Sequence, residues 1–143
     1  MISPADFTPE PAPDGLSCWR LPNPPSSTLF GCPVDVTVLL ELLELPDADY
    51  ALVNAVVSDV DRYLAAAVEF VSRRCKDDPA FFGLTEPPAE LGLDLPEVTF
   101  SDSGWLVRFA QAPFPIADPY GLLVEFEGDT PTDIEGTADA AEL

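Results

Sequence analysis

The chain has 143 residues, 47% of them apolar and 10% aromatic, enough for one packed domain and too apolar for an intrinsically disordered chain despite seventeen prolines. Twenty-six acids stand against six bases, a net charge of −20, and a surface so anionic repels nucleic acid phosphates and lipid headgroups while attracting a basic protein. With no histidine, and with Cys18, Cys32 and Cys75 forming no C-x-x-C pair, the usual zinc sites and imidazole-dependent nucleophilic catalysis fall away.

Residues 1–15 carry Pro4, Pro9, Pro11 and Pro13; proline fixes φ and removes a donor, so this stretch reads as an extended, mobile arm of a single domain spanning 1–143. It has neither the basic nor the apolar segment of a secretory leader. SCWRL at 17–21 is a short strand candidate, and PNPPSS at 22–27 is a loop. A disulfide between Cys18 and Cys32 is open in an oxidising compartment, whereas three sparse cysteines suit a reducing cytoplasm, the location expected here.

In VDVTVLLELLEL, residues 34–45, Val34, Val36, Val38 and Leu40 alternate with Asp35, Thr37 and Glu41, which predicts a strand to about residue 41. Two glutamates break this run, and it is too short to span a bilayer. Residues 47–78 predict one long amphipathic helix. Val53, Val56, Val57, Val60, Leu64, Ala67, Val68, Val71 and Cys75 recur at spacings of three and four, Asp47 or Asp49 caps the start, and Arg73, Arg74 and Lys76 meet the negative end of the helix dipole. Asp59, Asp61, Arg62 and Glu69 read as its solvated face. Residues 78–96 are an irregular connection with a helical turn at PAFFG, whose Phe81 and Phe82 plug the core.

Three further strands follow. EVTFS (97–101) and WLVRFA (105–110) stand at hairpin spacing, with Val98, Phe100, Trp105, Val107 and Phe109 toward the core. LLVEFEG (122–128) turns Leu122, Val124 and Phe126 inward, so Glu125 and Glu127 share the wet side about 7 Å apart. Arg108 is expected opposite one of them across the sheet. The fold predicted is α+β, one long helix on a mainly antiparallel sheet of four or five strands.

Charge is uneven along the chain. Residues 1–76 hold eleven acids and five bases, whereas residues 77–143 hold fifteen acids and one base, Arg108. The candidate partner-binding residues are therefore Asp118, Tyr120 in its DPYG turn, Glu125, Glu127, Asp129, Asp133 and Glu135, with Asp139 and Glu142 continuing the charge into the tail. Trp105 is a weaker anchor candidate, since its strand position points it inward. Twenty-six acids offer many accidental pairs, so paired-carboxylate hydrolysis has no specific support, and DTPTDIE at 129–135 lacks the ligand order of an EF-hand while leaving calcium open. There is no glycine-rich phosphate loop. Neither catalysis, nor a cofactor, nor a metal is expected; the chain reads as a binding protein, a monomer when free, whose partner is a basic protein rather than nucleic acid or membrane.

The stretch GWLVRFAQAPFPIADPYGLLVEFEG, about a quarter of the chain, resembles the C-terminal region of small acidic bacterial immunity-type proteins of polymorphic toxin systems. The resemblance implies a protein that occludes a cognate toxin inside the producing cell. Two other readings remain beside it: a DNA mimic that inhibits a DNA-binding protein, and an acidic domain whose charge serves solubility alone.

Overall fold

Period-two alternation builds most of the sheet in the computed structural model, which describes residues 1–137. Asp139 and Glu142 lie outside the described residues. In β5 (Asp35–Leu40) the residues Val36, Val38 and Leu40 are buried, while Asp35, Thr37 and Leu39 are half-buried on the opposite side. The same alternation runs through β6 (Asp94–Phe100), β7 (Trp105–Gln111) and β8 (Leu122–Glu127), burying Val98, Phe100, Trp105, Val107, Phe109, Leu122, Val124 and Phe126. One face of the sheet is thus core, as expected for strands that must bury one apolar side.

The helical segment covers that face, but not as one rod. It is divided at Asp59 into α1 (Tyr50–Ser58) and α2 (Val60–Asp77). Asp59 adopts φ −143° and ψ 48°, its amide closing α1 on the Val56 carbonyl at 3.3 Å, and the Ser58 hydroxyl bonds back to the Ala55 carbonyl at 3.2 Å, the local competition by which a short polar side chain loosens a helix end. The apolar stripe survives: Val53 and Val56 from α1 and Val60, Tyr63, Leu64, Ala67, Val71 and Cys75 from α2 are all buried. Asp49 caps α1 by accepting from the Leu52 amide at 3.1 Å. The Tyr63 ring meets Trp105 edge-on at 5.5 Å and Phe126 at 6.5 Å, while Trp105 stacks on Phe126 at 4.1 Å. Each such pair adds about 0.5–1.5 kcal/mol beyond the area it buries.

The expected sheet of four or five mainly antiparallel strands is corrected to a seven-stranded mixed sheet, and the single helix to two. Strands β1 (Thr8–Glu10), β2 (Ser17–Arg20) and β9 (Thr130–Gly136) complete the order β1-β2-β5-β6-β7-β8-β9, and β3 (Ser26–Ser27) pairs with β4 (Cys32–Pro33) as a separate ribbon. Strands β5 and β6 run parallel, Asp35 opposite Glu97 through Val38 opposite Phe100. Parallel neighbours need a crossover of a dozen residues or more, and the helical segment is that crossover. The turn at PAFFG forms as a 3₁₀ turn, Pro79–Phe82, with Phe82 fully buried.

The Pro-rich arm is extended over β1 but winds into a 3₁₀ turn at Pro4–Asp6, and it touches the domain at three places. Phe7 is buried against Tyr50, the Ile2 amide donates to Asn54 Oδ1 at 2.7 Å, and β1 pairs with β2. All three cysteines are free thiols. No helix among the described residues is long and apolar enough to cross a membrane.

Candidate protein-binding face

Because the helices cover one side of the sheet, the side chains that alternate away from them form a second face. The registers place two rows across it. One runs Thr8, Arg20, Thr37, Thr99, Leu106, Glu125 and Asp133 from edge to edge; the other runs Asp35, Glu97, Arg108, Leu123 and Glu135. Every residue of both rows is half-buried or exposed and none is buried, so no helix lies over them.

Charge on this face is divided. Arg20 pairs with Asp35 at 3.3 Å, and Arg108 Nε lies 2.9 Å from Glu97 Oε2, so the four charges over β2 to β7 cancel. The Arg108 Nε–H is buried without an aligned acceptor, which makes that contact one of charge rather than a directed hydrogen bond. This corrects the expectation for Arg108: it sits opposite Leu123 on β8 and Glu97 on β6, not opposite Glu125 or Glu127. Over β8 and β9 there is no such cancellation. Glu125 stands in register with Asp133, and Glu135 is next along the same strand face. Partial burial, then the charge of Glu135, then that of Asp133, push the Glu125 carboxyl up from its ordinary value.

The seven residues expected at the site are placed as follows. Glu125, Asp133 and Glu135 come together on the bare face, and Glu127 ends β8 two residues beyond Glu125 and is exposed. A bulge between Glu125 and Phe126 lets Thr132 bond the Glu125 carbonyl at 3.3 Å and brings Pro131 opposite Phe126. Asp129 turns the other way, to Arg62 of α2 at 3.7 Å. Asp118 and Tyr120 lie in the loop entering the opposite end of β8; Tyr120 is 50% exposed, and its amide donates to the Thr137 hydroxyl at 3.1 Å. Gly121, at φ 104°, completes this entry, since a Cβ there would run into the Phe109 carbonyl. The stretch 129–135 is a turn and a strand rather than a ligand loop, and no group of three metal-ligating side chains occurs among the described residues.

Trp105 is core, 3% exposed, with its indole N–H donated to the Gly128 carbonyl at 2.7 Å. The apolar part of the face lies elsewhere, in Leu39, Leu106 and Leu123, each half-buried on an outward position. Leu39, Thr99, Leu106, Glu125 and Thr132 line a shallow groove of about 430 Å³. The signal for them was in the sequence: leucines recur at the wet positions of three alternating strands, and apolar side chains grouped on one face, unlike single ones, mark an interaction surface.

Two other carboxylates are spent on structure. Asp102 accepts the amides of Glu41, Leu42 and Leu43 at 3.0, 2.9 and 3.3 Å, and these bonds, that of Leu42 foremost, hold it below the ordinary aspartate value. Asp61 takes the Ser27 hydroxyl and the amides of Thr28 and Leu29, and is lowered chiefly by the serine.

No protein-family model, curated protein or solved structure matches the chain.

Proposed function

We propose that this protein is a non-catalytic inhibitor that binds a basic protein and neutralises it by covering it, and that the partner is a toxin, the class to which the immunity-type resemblance points. One observation carries the reading: Glu125, Asp133 and Glu135 are held together on two paired strands, and none of the four ion pairs among the described residues includes any of them or Glu127. The arginines are engaged elsewhere, four in those pairs and Arg74 over the Phe81 ring at 4.6 Å. Crowding like charges on a sheet costs stability, and a cationic partner removes that cost. Before contact, the field of such a patch speeds encounter with a basic protein by about 10- to 1000-fold at low salt. After contact, packed side chains rather than charge hold the complex.

The test is titration calorimetry of the purified protein against the toxin encoded beside its own reading frame, at about 50 and about 300 mM salt, conditions that bracket physiological screening. The expected result is a 1:1 complex that weakens with salt and persists at the higher concentration. Absence of binding to any basic protein, or equal competition by duplex DNA for several DNA-binding partners, refutes the proposal and in the second case favours the mimic.

A further inference from the structure

The proposed function leaves open which surface meets the partner and what that partner presents. We infer that the docking surface is the whole bare face of the seven-stranded sheet, and that the basic protein it receives is divided as this face is, with a neutral apolar strip over β5 to β7 and a lysine- and arginine-rich strip over β8 and β9. The inference rests on the reading of a basic partner and adds the footprint.

Three observations carry it. First, the charge is divided along the strands: Arg20, Asp35, Glu97 and Arg108 cancel over β2 to β7, with Glu10 alone on β1 beyond them, while Glu125, Asp133 and Glu135 sum to −3 over β8 and β9. A uniformly basic surface would bury its cations over this self-paired half with no free carboxylate to receive them, a desolvation that costs affinity. Complementarity therefore selects a partner that is basic on one flank only. Second, Leu106 and Leu123 stand on that boundary, Leu106 opposite Glu125 and Leu123 opposite Arg108, with Leu39 nearby in the groove. They form the apolar centre, and the charges form the rim, the arrangement by which interfaces exclude water from their anchors. Third, the area suffices. Seven strands about 4.8 Å apart and about six residues long at ~3.3 Å each present on the order of 600 Å², close to the ~800 Å² that one side of a stable complex buries.

The experiment places a photo-crosslinking phenylalanine derivative at Leu106, at Leu123 and, as a control on the helical side, at the exposed Ala65 of α2, each in the full-length protein expressed in its own cell. Leu106 and Leu123 are expected to capture the same basic protein, with roughly tenfold higher yield than Ala65, and the yield is expected to fall about fivefold or more in a Glu125→Gln/Asp133→Asn/Glu135→Gln background. Capture of a basic protein equally or better from Ala65 overturns the footprint and leaves the proposed function standing. Capture that is indifferent to the triple neutralisation overturns the divided partner. A neutral or acidic protein captured at Leu106, or no basic protein from any position, overturns both. Circular dichroism of the triple variant confirms that it keeps its fold.

Discussion

Replacing Glu125 by glutamine should stabilise this protein. In the register of β8 and β9, Glu125 lies directly opposite Asp133, with Glu135 diagonal to it, and the side chain has no hydrogen bond among the described residues to compensate. Like charges directly opposite on a sheet cost about 0.2–1 kcal/mol, and the diagonal neighbour adds a smaller amount, so removing the charge gains about 1 kcal/mol at neutral pH and low salt. For a chain of this size that raises the thermal midpoint by roughly 2–4 °C. The pH dependence fixes the sign. The folded carboxyl titrates above the ordinary glutamate value near 4.5, so the folded state binds the proton more readily, and wild-type stability rises as pH falls through the folded value toward 4.5. The advantage of the glutamine variant is therefore complete above the folded value and shrinks to nothing below 4.5. Thermal melts of both proteins at pH 7 and at about pH 3.5, each in ~20 mM and ~500 mM salt, decide it; strong salt should shrink the neutral-pH gain. A variant that melts at or below the wild type at pH 7 in low salt, or keeps its gain at the acid pH, refutes the crowded-carboxylate account.

Truncating Trp105 to alanine removes the stack on Phe126 and the bond to the Gly128 carbonyl, and should cost about 3–5 kcal/mol in urea unfolding, a large share of a typical domain's stability. Phe7→Ala should cost about 3 kcal/mol by the same measurement, because that ring is 6% exposed against Tyr50; a negligible loss would show that the arm contributes nothing to stability. Asp102→Asn should lower the thermal midpoint by weakening acceptance from three amides, and the loss should fade in acid. The lowered carboxyl contributes stability above the ordinary value of 3.8 that disappears as pH falls through its folded value, so variant and wild type should converge there.

The strands that bury three or more alternating apolar residues were legible from local pattern, β5 through Val36, Val38 and Leu40, and β8 through Leu122, Val124 and Phe126. β9 was not, because Ile134 is its only buried side chain and Pro131 and two acids dominate its text; an edge strand needs little apolar signal and tolerates proline. The parallel pairing of β5 with β6 is a long-range choice that neither strand encodes locally. At the site, the period of two correctly set Glu125 on the wet side, but its neighbours depended on the missed strand, which brought Asp133 and Glu135 beside it. Asp129, equally acidic in sequence, was claimed by Arg62 on a distant helix. The break at Asp59 escaped for a related reason: the apolar spacing continues through it, and only backbone geometry records the interruption.

β9 is the last strand of its sheet among the described residues, an edge whose outward amides and carbonyls no described strand takes up. Such an edge invites another copy to add on and begin a fibre, and charged side chains are among the means by which proteins discourage this. Asp133 and Glu135 stand on that strand in every copy, so the first contact between two molecules edge to edge sets carboxylate against carboxylate. The residues proposed to welcome a cationic mate therefore also keep the protein's siblings at a distance, which ties selectivity and colloidal good behaviour to the same few oxygen atoms.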